Sequence, residues 1–313
     1  MKLGRFSNAD NPVVAVLRDE QWYSIQALLP HSGSSVLDAL IHWEKLQVEI
    51  EAAFLSGQLP VVATEARPVL PFQPLSLRDF MLAEDHAINA ARGFVKRYMP
   101  KLLPFIKLFE RSGRPFPALK PKPIWYRQPI YYFSSHTNLV TDGDAVTWPS
   151  YSEDLDYELE LAFVLSKPLY NATPKQALDA IGGFLVLNDF SARDIQLEEM
   201  RSGFGPQKSK HFVNGLSSTV VTADEILPVV NQLNGKVEIN GHTVVETSTE
   251  QMQHSISDLL VHLSNSERLF PGEVFGLGTL PGGCAMENDH WLKKGDEICL
   301  TIDRIGSLRN TII

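Results

Sequence analysis

The chain has 313 residues, 44% of them apolar and 21% charged, and a formal net charge of −9. That length buries a sizeable core as one large domain or two unequal ones, and the acidic balance argues against a nucleic-acid partner, which needs clustered lysine and arginine. Cys284 and Cys299 make neither a disulfide framework nor a zinc pattern. No apolar run reaches a membrane span, and the start lacks an uninterrupted apolar segment with a cleavage site, so a cytoplasmic protein with no membrane partner is expected.

Up to about residue 30 short apolar runs alternate with turns ("VVAVL", "RDEQ", "WYSI"), a hairpin pattern. From Ser35 to Leu55 the spacing of Val36, Leu37, Leu40, Ile41, Val48 and Phe54 predicts a helix, closed by Gly57 and Pro60. "RPVLPFQP" (67–74) reads as a linker. Residues 1–72 are therefore expected to form a small N-terminal α/β region, and 73–313 the main domain. Ser76 and Asp79 make an S-x-x-D capping box for a predicted helix running to about Arg97; His86 sits mid-helix near Glu84, either approaching the site or, the favoured reading, on the surface. Seven prolines between 98 and 129 predict an irregular rim or lid, with a short helix near "FIKLFER".

After Gln128 the runs are short and β-like: "IYYFS", "AVTWP", "LDYELELAFVL", "GGFLVLND", "STVVT", "KVEIN", "HTVVET", "EVFGLG" and "DEICLTID". "ALDAIGG" and "SISDLLVHLSN" are the helical interruptions. Many short strands with few helices predict an α+β fold on a curved, rolled, antiparallel-rich sheet; a Rossmann or TIM barrel requires regular alternation.

Within "LDYELELAF" (155–163), Asp156, Glu158 and Glu160 alternate with large apolar residues, so the acids share one strand face at roughly 6.6 to 6.8 Å spacing. Taken alone, such a face belongs in water. In "GGFLVLNDFSARDIQLEEM" an apolar strand ends at Asn188 and Asp189. Ser191 is placed to cap the next helix, which carries Arg193, Gln196 and Met200 on one face. "GFGPQKSKHF" is a Gly/Pro loop able to bring Lys208 or Lys210 to the same mouth. "GLGTLPGGCAMEND" is a Gly-rich turn ending in Glu287, without a phosphate-cradle signature.

"LDYELELAF", "LNDFSARDIQ", "GPQKSKHF" and the late "GLGT…E" together resemble the fumarylacetoacetate hydrolase family in order and spacing, over roughly residues 76 to 313. The resemblance implies a mixed β-sandwich roll as the catalytic domain. It also implies a divalent cation, Mg²⁺ or alternatively Ca²⁺ or Mn²⁺, held by Glu158, Glu160 and Asp189. Three carboxylates make a hard, all-oxygen site, and a cation offsets their repulsion. Arg193, Gln196 and Thr279 are implied as substrate contacts, with Lys210, favoured over Lys208, facing the developing oxyanion. His136 is implied as the group that activates water, and Glu287 as the group that orients it. Some relatives have a fourth metal acid, at a spot corresponding to Tyr131 here; no acid occurs between 129 and 141.

The activity so implied is hydrolytic cleavage of a C–C bond in a small acidic 1,3-diketone or acylpyruvate through a metal-stabilised enolate, in a homodimer serving aromatic or sugar-acid breakdown. The alternatives on the same site are an oxaloacetate-type 2-oxo acid decarboxylase and an oxo-diacid isomerase. A paired histidine and glutamate lean towards hydrolysis, because decarboxylation needs no activated water.

Overall fold

The computed structural model describes residues 1–8, 11–29 and 33–313. One large mixed sheet and one smaller sheet pack face to face. Across the large sheet the strands run Gln21–Ser24, Asn11–Arg18, Lys2–Asn8, Thr219–Thr222, Ile181–Asn188, Glu158–Leu165, Glu273–Cys284, Ser76–Phe80 and Tyr131–Ser134. The smaller sheet orders His242–Ser248, Asn234–Ile239, Glu297–Ile302, Gly306–Ile312 and Ala145–Val146. Helices are a minority of the chain, as the α+β expectation required. Among the described residues, no helix is long and apolar enough to cross a membrane.

The Glu158–Leu165 strand is buried along its whole length, and its two faces do different work. Leu159, Leu161, Phe163 and Leu165 enter the core between the sheets with Val237, Ile298, Leu300 and Leu308. Ala162 and Val164 face a second core built with Val14, Ile25, Leu40 and Ile50 from the N-terminal strands and helices. Glu158 and Glu160 stand on that second face. Both glutamates are buried, so the acidic face is not solvated. Pairing with Glu273–Cys284 slips on either side of Glu160, which lies opposite Thr279, while Glu158 lies opposite Cys284. Bulges of this kind bend the strand and re-aim side chains, here at the two glutamates.

Several local expectations were overridden. Ser76–Phe80 is a strand and not a helix cap: it pairs in parallel with Glu273–Gly276, and Leu77 and Phe80 are buried. The helix begins at Glu84, runs to Tyr98, and has no side-chain cap. Backbone groups satisfied by a neighbouring strand leave nothing for a capping box to do. The N-terminal helix does start at a Ser35 capping box but is broken at His42 into Val36–Ile41 and Trp43–Leu55. Ser191 lies in a two-residue strand, Ser191–Ala192, paired with Leu155–Asp156; its hydroxyl donates to Asp189 O and caps no helix.

The proline-rich segment forms the expected short helix, Leu103–Glu110, but no residue from 98 to 129 lines the cavity described below. It packs behind the Glu84–Tyr98 helix, where Ile106 and Leu119 meet Ile88 and Val95 and where Arg92 pairs with Glu110 at 2.7 Å. On another side that helix touches the short helix Ala285–Asn288 at Gly93. A Cβ there would lie 1.7 Å from the Met286 carbonyl oxygen. Gly93→Ala must push the two helices apart and is expected to cost about 1–3 kcal/mol in denaturant unfolding. Wild-type stability in that variant would show that the close approach is not maintained in solution.

Candidate active site

A buried chain of alternating charge lies at the end of the glutamate strand. Arg193 donates from Nε to Asp156 Oδ2 at 2.7 Å and from Nη2 to Glu158 Oε1 at 2.5 Å. Lys210 Nζ then bridges Glu158 Oε2 at 2.6 Å and Asp189 Oδ2 at 2.5 Å, and the Tyr132 hydroxyl donates to the same Asp189 oxygen at 2.6 Å. None of the five charged residues is more than 5% exposed. Burial alone would raise the Glu158 pKa, but Arg193 and Lys210 outweigh it and hold the carboxyl well below its usual range. Burial works against the charge on Lys210 too, and Asp189 and Glu158 reverse it, so its pKa is raised.

The local chain explains these positions. Pairing of Ser191–Ala192 with Leu155–Asp156 sets Arg193, the first residue of the Arg193–Arg201 helix, beside Asp156. The Glu199 carboxylate accepts the backbone N–H groups of Gln207, Lys208 and Ser209 at 2.8, 2.7 and 3.1 Å, clamping the loop that delivers Lys210. Lys210 turns inward and is buried; Lys208 is exposed, above the Tyr151 ring.

Beyond that chain the acids are only partly compensated. Asp79, Glu160 and Asp189 are all buried and bring oxygens within 4.8 Å of one another. Asp79 Oδ1 and Asp189 Oδ1 have no hydrogen-bond partner among the described residues. Burial first, and then the neighbouring acids, raise the pKa of both Asp79 and Glu160 well above the carboxylate range. Gly276 makes room: a Cβ there would stand 2.6 Å from Asp79 Oδ1 and 2.9 Å from Glu160 Oε2. Five buried carboxylates thus face two buried cations, and orphaned oxygens converge on a hard, all-oxygen cradle. These residues fit a divalent cation. Glu158, expected with Glu160 and Asp189, lines the same cavity, but both its oxygens are taken by Arg193 and Lys210. No acid stands near Tyr131 in the sequence; the further acid that the fold brings to Glu160 and Asp189 is Asp79.

At the rim, His86 Nδ1 lies 2.6 Å from Glu287 Oε1, and Glu287 Oε2 accepts from Gly282 N–H at 3.0 Å. Asp156 fixes this turn as well, accepting the N–H groups of Ala285 and Met286 at 2.7 and 3.1 Å. His86 is 6% exposed, not a surface residue as expected, and it lines a cavity of about 550 Å³ together with Asp79, Glu158, Glu160, Asp189 and Lys210. Arg193, Gln196 and Thr279 line it too; Gln196 Oε1 accepts from Arg193 at 3.0 Å, and Thr279 lies 3.4 Å from Glu160.

The structure does not bring His136 to this cavity. Its strand ends at Ser134, and the loop beyond runs past Gln73, whose amide donates to the His136 carbonyl. Glu287 therefore pairs with His86 rather than with His136. Asp79, His86, Asp156 and Tyr132 line or support the site without having been assigned to it from the sequence. The usable signal was an apolar run, "DFMLA", leading from an acid to a histidine in the next helix, which is how a strand hands over to a helix.

Residues 114–313 match the family described as fumarylacetoacetate (FAA) hydrolase, C-terminal. A curated relative, "Oxaloacetate tautomerase fahd2, mitochondrial" of Xenopus laevis, is 31% identical over 188 residues, covering 60% of this chain and 59% of that protein. The chain thus spans less than two thirds of the length of the curated relatives it matches. Among solved structures, the fumarylacetoacetate hydrolase of Exiguobacterium antarcticum superposes with a TM-score of 0.75 at 21% identity, covering 100% of this chain and 99% of that one. The 5-carboxymethyl-2-hydroxymuconate delta-isomerase of Mycobacterium smegmatis gives 0.67 at 18% identity, covering 100% and 98%.

The acid cluster has a measurable consequence. Because Asp79 and Glu160 hold protons when folded at pH values where the unfolded chain has released them, cation-free protein should lose stability as pH rises above about 5 through their raised pKa values. The depressed Glu158 acts only below that window. A divalent cation at a hundred times its Kd should restore about 2.7 kcal/mol, seen as a rise in Tm. Asp79→Asn should leave cation-free protein at least as stable as wild type and remove most of the cation-induced rise. An unchanged rise in that variant would take Asp79 out of the cation site.

Proposed function

The chain belongs to the fumarylacetoacetate hydrolase family, and from that premise we propose that it is a metal-dependent hydrolase cleaving a C–C bond in a small 2,4-dioxo acid of the acylpyruvate type. The observation that carries this reading is the buried His86–Glu287 pair at the rim of the carboxylate cradle. Mg²⁺, with Mn²⁺ or Ca²⁺ as alternates, would be held by Asp79, Glu160 and Asp189, and when bound supplies positive charge for the oxygens of the dioxo acid.

The chain's own residues account for the rest. Glu287 accepts the Nδ1 proton of His86, which fixes the tautomer and leaves Nε2 towards the cavity to take a proton from water. The water oxygen adds to the C4 carbonyl, and Lys210 Nζ faces the oxyanion that forms. The C3–C4 bond then breaks and its electron pair stays on the pyruvate fragment as an enolate. His86 returns the proton to C3, giving pyruvate and a carboxylic acid. Gln196, whose Oε1 is occupied by Arg193, presents its amide nitrogen to a substrate oxygen, and Thr279 its hydroxyl.

A second reading, keto–enol tautomerisation of oxaloacetate, draws support from the name of the frog relative, and the same His86 would move the proton. Acetylpyruvate hydrolysis and oxaloacetate enol decay, each followed by ultraviolet absorbance with added Mg²⁺ or EDTA, separate the two. His86→Gln is expected to lower kcat by about 10²- to 10⁴-fold. His136→Ala is expected to stay within a few-fold of wild type. The reverse ranking would return the water-activating role to His136.

A further inference from the structure

We propose that the cavity binds the acyl portion of its substrate as a neutral apolar chain, so that the preferred dioxo acids carry an extended apolar tail rather than a second carboxylate. This inference rests on the 2,4-dioxo acid reading above and narrows its substrate class.

The cavity, at about 550 Å³, is too large for the acidic head alone. A four-carbon oxo-diacid such as oxaloacetate fills at most roughly 270 Å³ even if each heavy atom is given the volume of a liquid water molecule. The surplus is not polar. Ala87, Ala90, Ala91 and Phe94 recur at i, i+3, i+4 and i+7 on the Glu84–Tyr98 helix, line the cavity and are only half-buried. Met200, 53% exposed, and Pro206 also line it. Ile88 and Val95 anchor the back of the helix with Ala91 packed against them, and Phe94 meets the Tyr98 ring at 4.6 Å, while Ala87 and Ala90 lie outside that cluster and face the cavity. Three alanines in four positions leave a groove where larger side chains would close it.

Charge points the same way. Among the described residues, the lysine and arginine side chains lining the cavity are Arg193 and Lys210, and both are held at the acid cluster, where they serve the dioxo head, each between two carboxylates. A distal carboxylate would meet alanine, phenylalanine and methionine with no cation to pair with, an unfavourable burial. A methylene chain there exchanges water for apolar surface, and each added CH₂ improves affinity by about three- to fourfold.

The test is calorimetric titration of the Mg²⁺-loaded full chain with uncleavable 2-oxo acids: pyruvate, 2-oxobutanoate, 2-oxohexanoate, 2-oxooctanoate and 2-oxooctanedioate. Affinity should climb about three- to fourfold per methylene, and the dioate should bind at least about tenfold more weakly than the matched mono-acid. Ala90→Leu, checked for an unchanged Tm, should reduce the ratio of 2-oxooctanoate to pyruvate affinity. Affinity indifferent to length, tighter binding of the dioate, or no binding at all would overturn the inference. Turnover of the matching 2,4-dioxo acids is read separately. Length-dependent binding without cleavage would sink the hydrolase reading and leave the apolar subsite standing.

Discussion

The rest of the site depends on one buried carboxylate, Asp156. It holds Arg193 through a 2.7 Å ion pair and, with the same side chain, accepts the backbone N–H groups of Ala285 and Met286 that open the helix bearing Glu287. Arg193 in turn fixes Glu158, and Lys210 links Glu158 to Asp189. Buried ion pairs add little net stability, because desolvation consumes most of their attraction; removing one partner, however, costs about 3–5 kcal/mol. The chain of charge is therefore less a source of folding energy than a constraint. Any displacement of Asp156 disturbs both the ladder and the His86–Glu287 pair.

The two apolar cores make that constraint tolerable. Phe163 stacks on Phe275 at 5.0 Å between the sheets, and the N-terminal helices cover the other face of the glutamate strand as far as Ala162. Where that cover stops, the same face continues as Glu160 and Glu158, and the pairing slips in the adjoining strand aim them. Gly276 keeps the space between Glu160 and Asp79 open, so the cradle is shaped by a missing side chain as much as by those present.

Much of this was legible from the residues. Period-2 alternation in "LDYELELAF" gave the Glu158–Leu165 strand and the shared face of Glu158 and Glu160, but the run breaks at Tyr157 and Leu155–Asp156 pairs with Ser191–Ala192 instead; the apolar strand before "DFSARDIQ" gave Asp189, Arg193 and Gln196. What stayed hidden depended on partners far away in the chain. Ser76 and Asp79 satisfy a local capping pattern, yet parallel pairing with Glu273–Gly276 nearly two hundred residues later makes them a strand. His86 looks like a helix-surface histidine until the Ala285–Asn288 helix docks against it. Local signals read helix ends well, as at Ser35 and Ser255, and fail where a sheet neighbour claims the backbone.

The proline-rich segment gives the cavity a property that its lining does not reveal. Besides Ile106 and Leu119, it fastens the helix through Arg92 to Glu110 and through Tyr126 to Glu84, and ties the segment leading into the helix through the Trp125 indole to the Met81 carbonyl. A helix splinted along its back cannot roll about its own axis without breaking several of these ties at once. The bearing of His86 is thereby set by residues that never meet the substrate. Mechanical stiffness and chemical reactivity are thus written in separate stretches of the sequence, and the first can drift without altering the second only while the splint holds its angle.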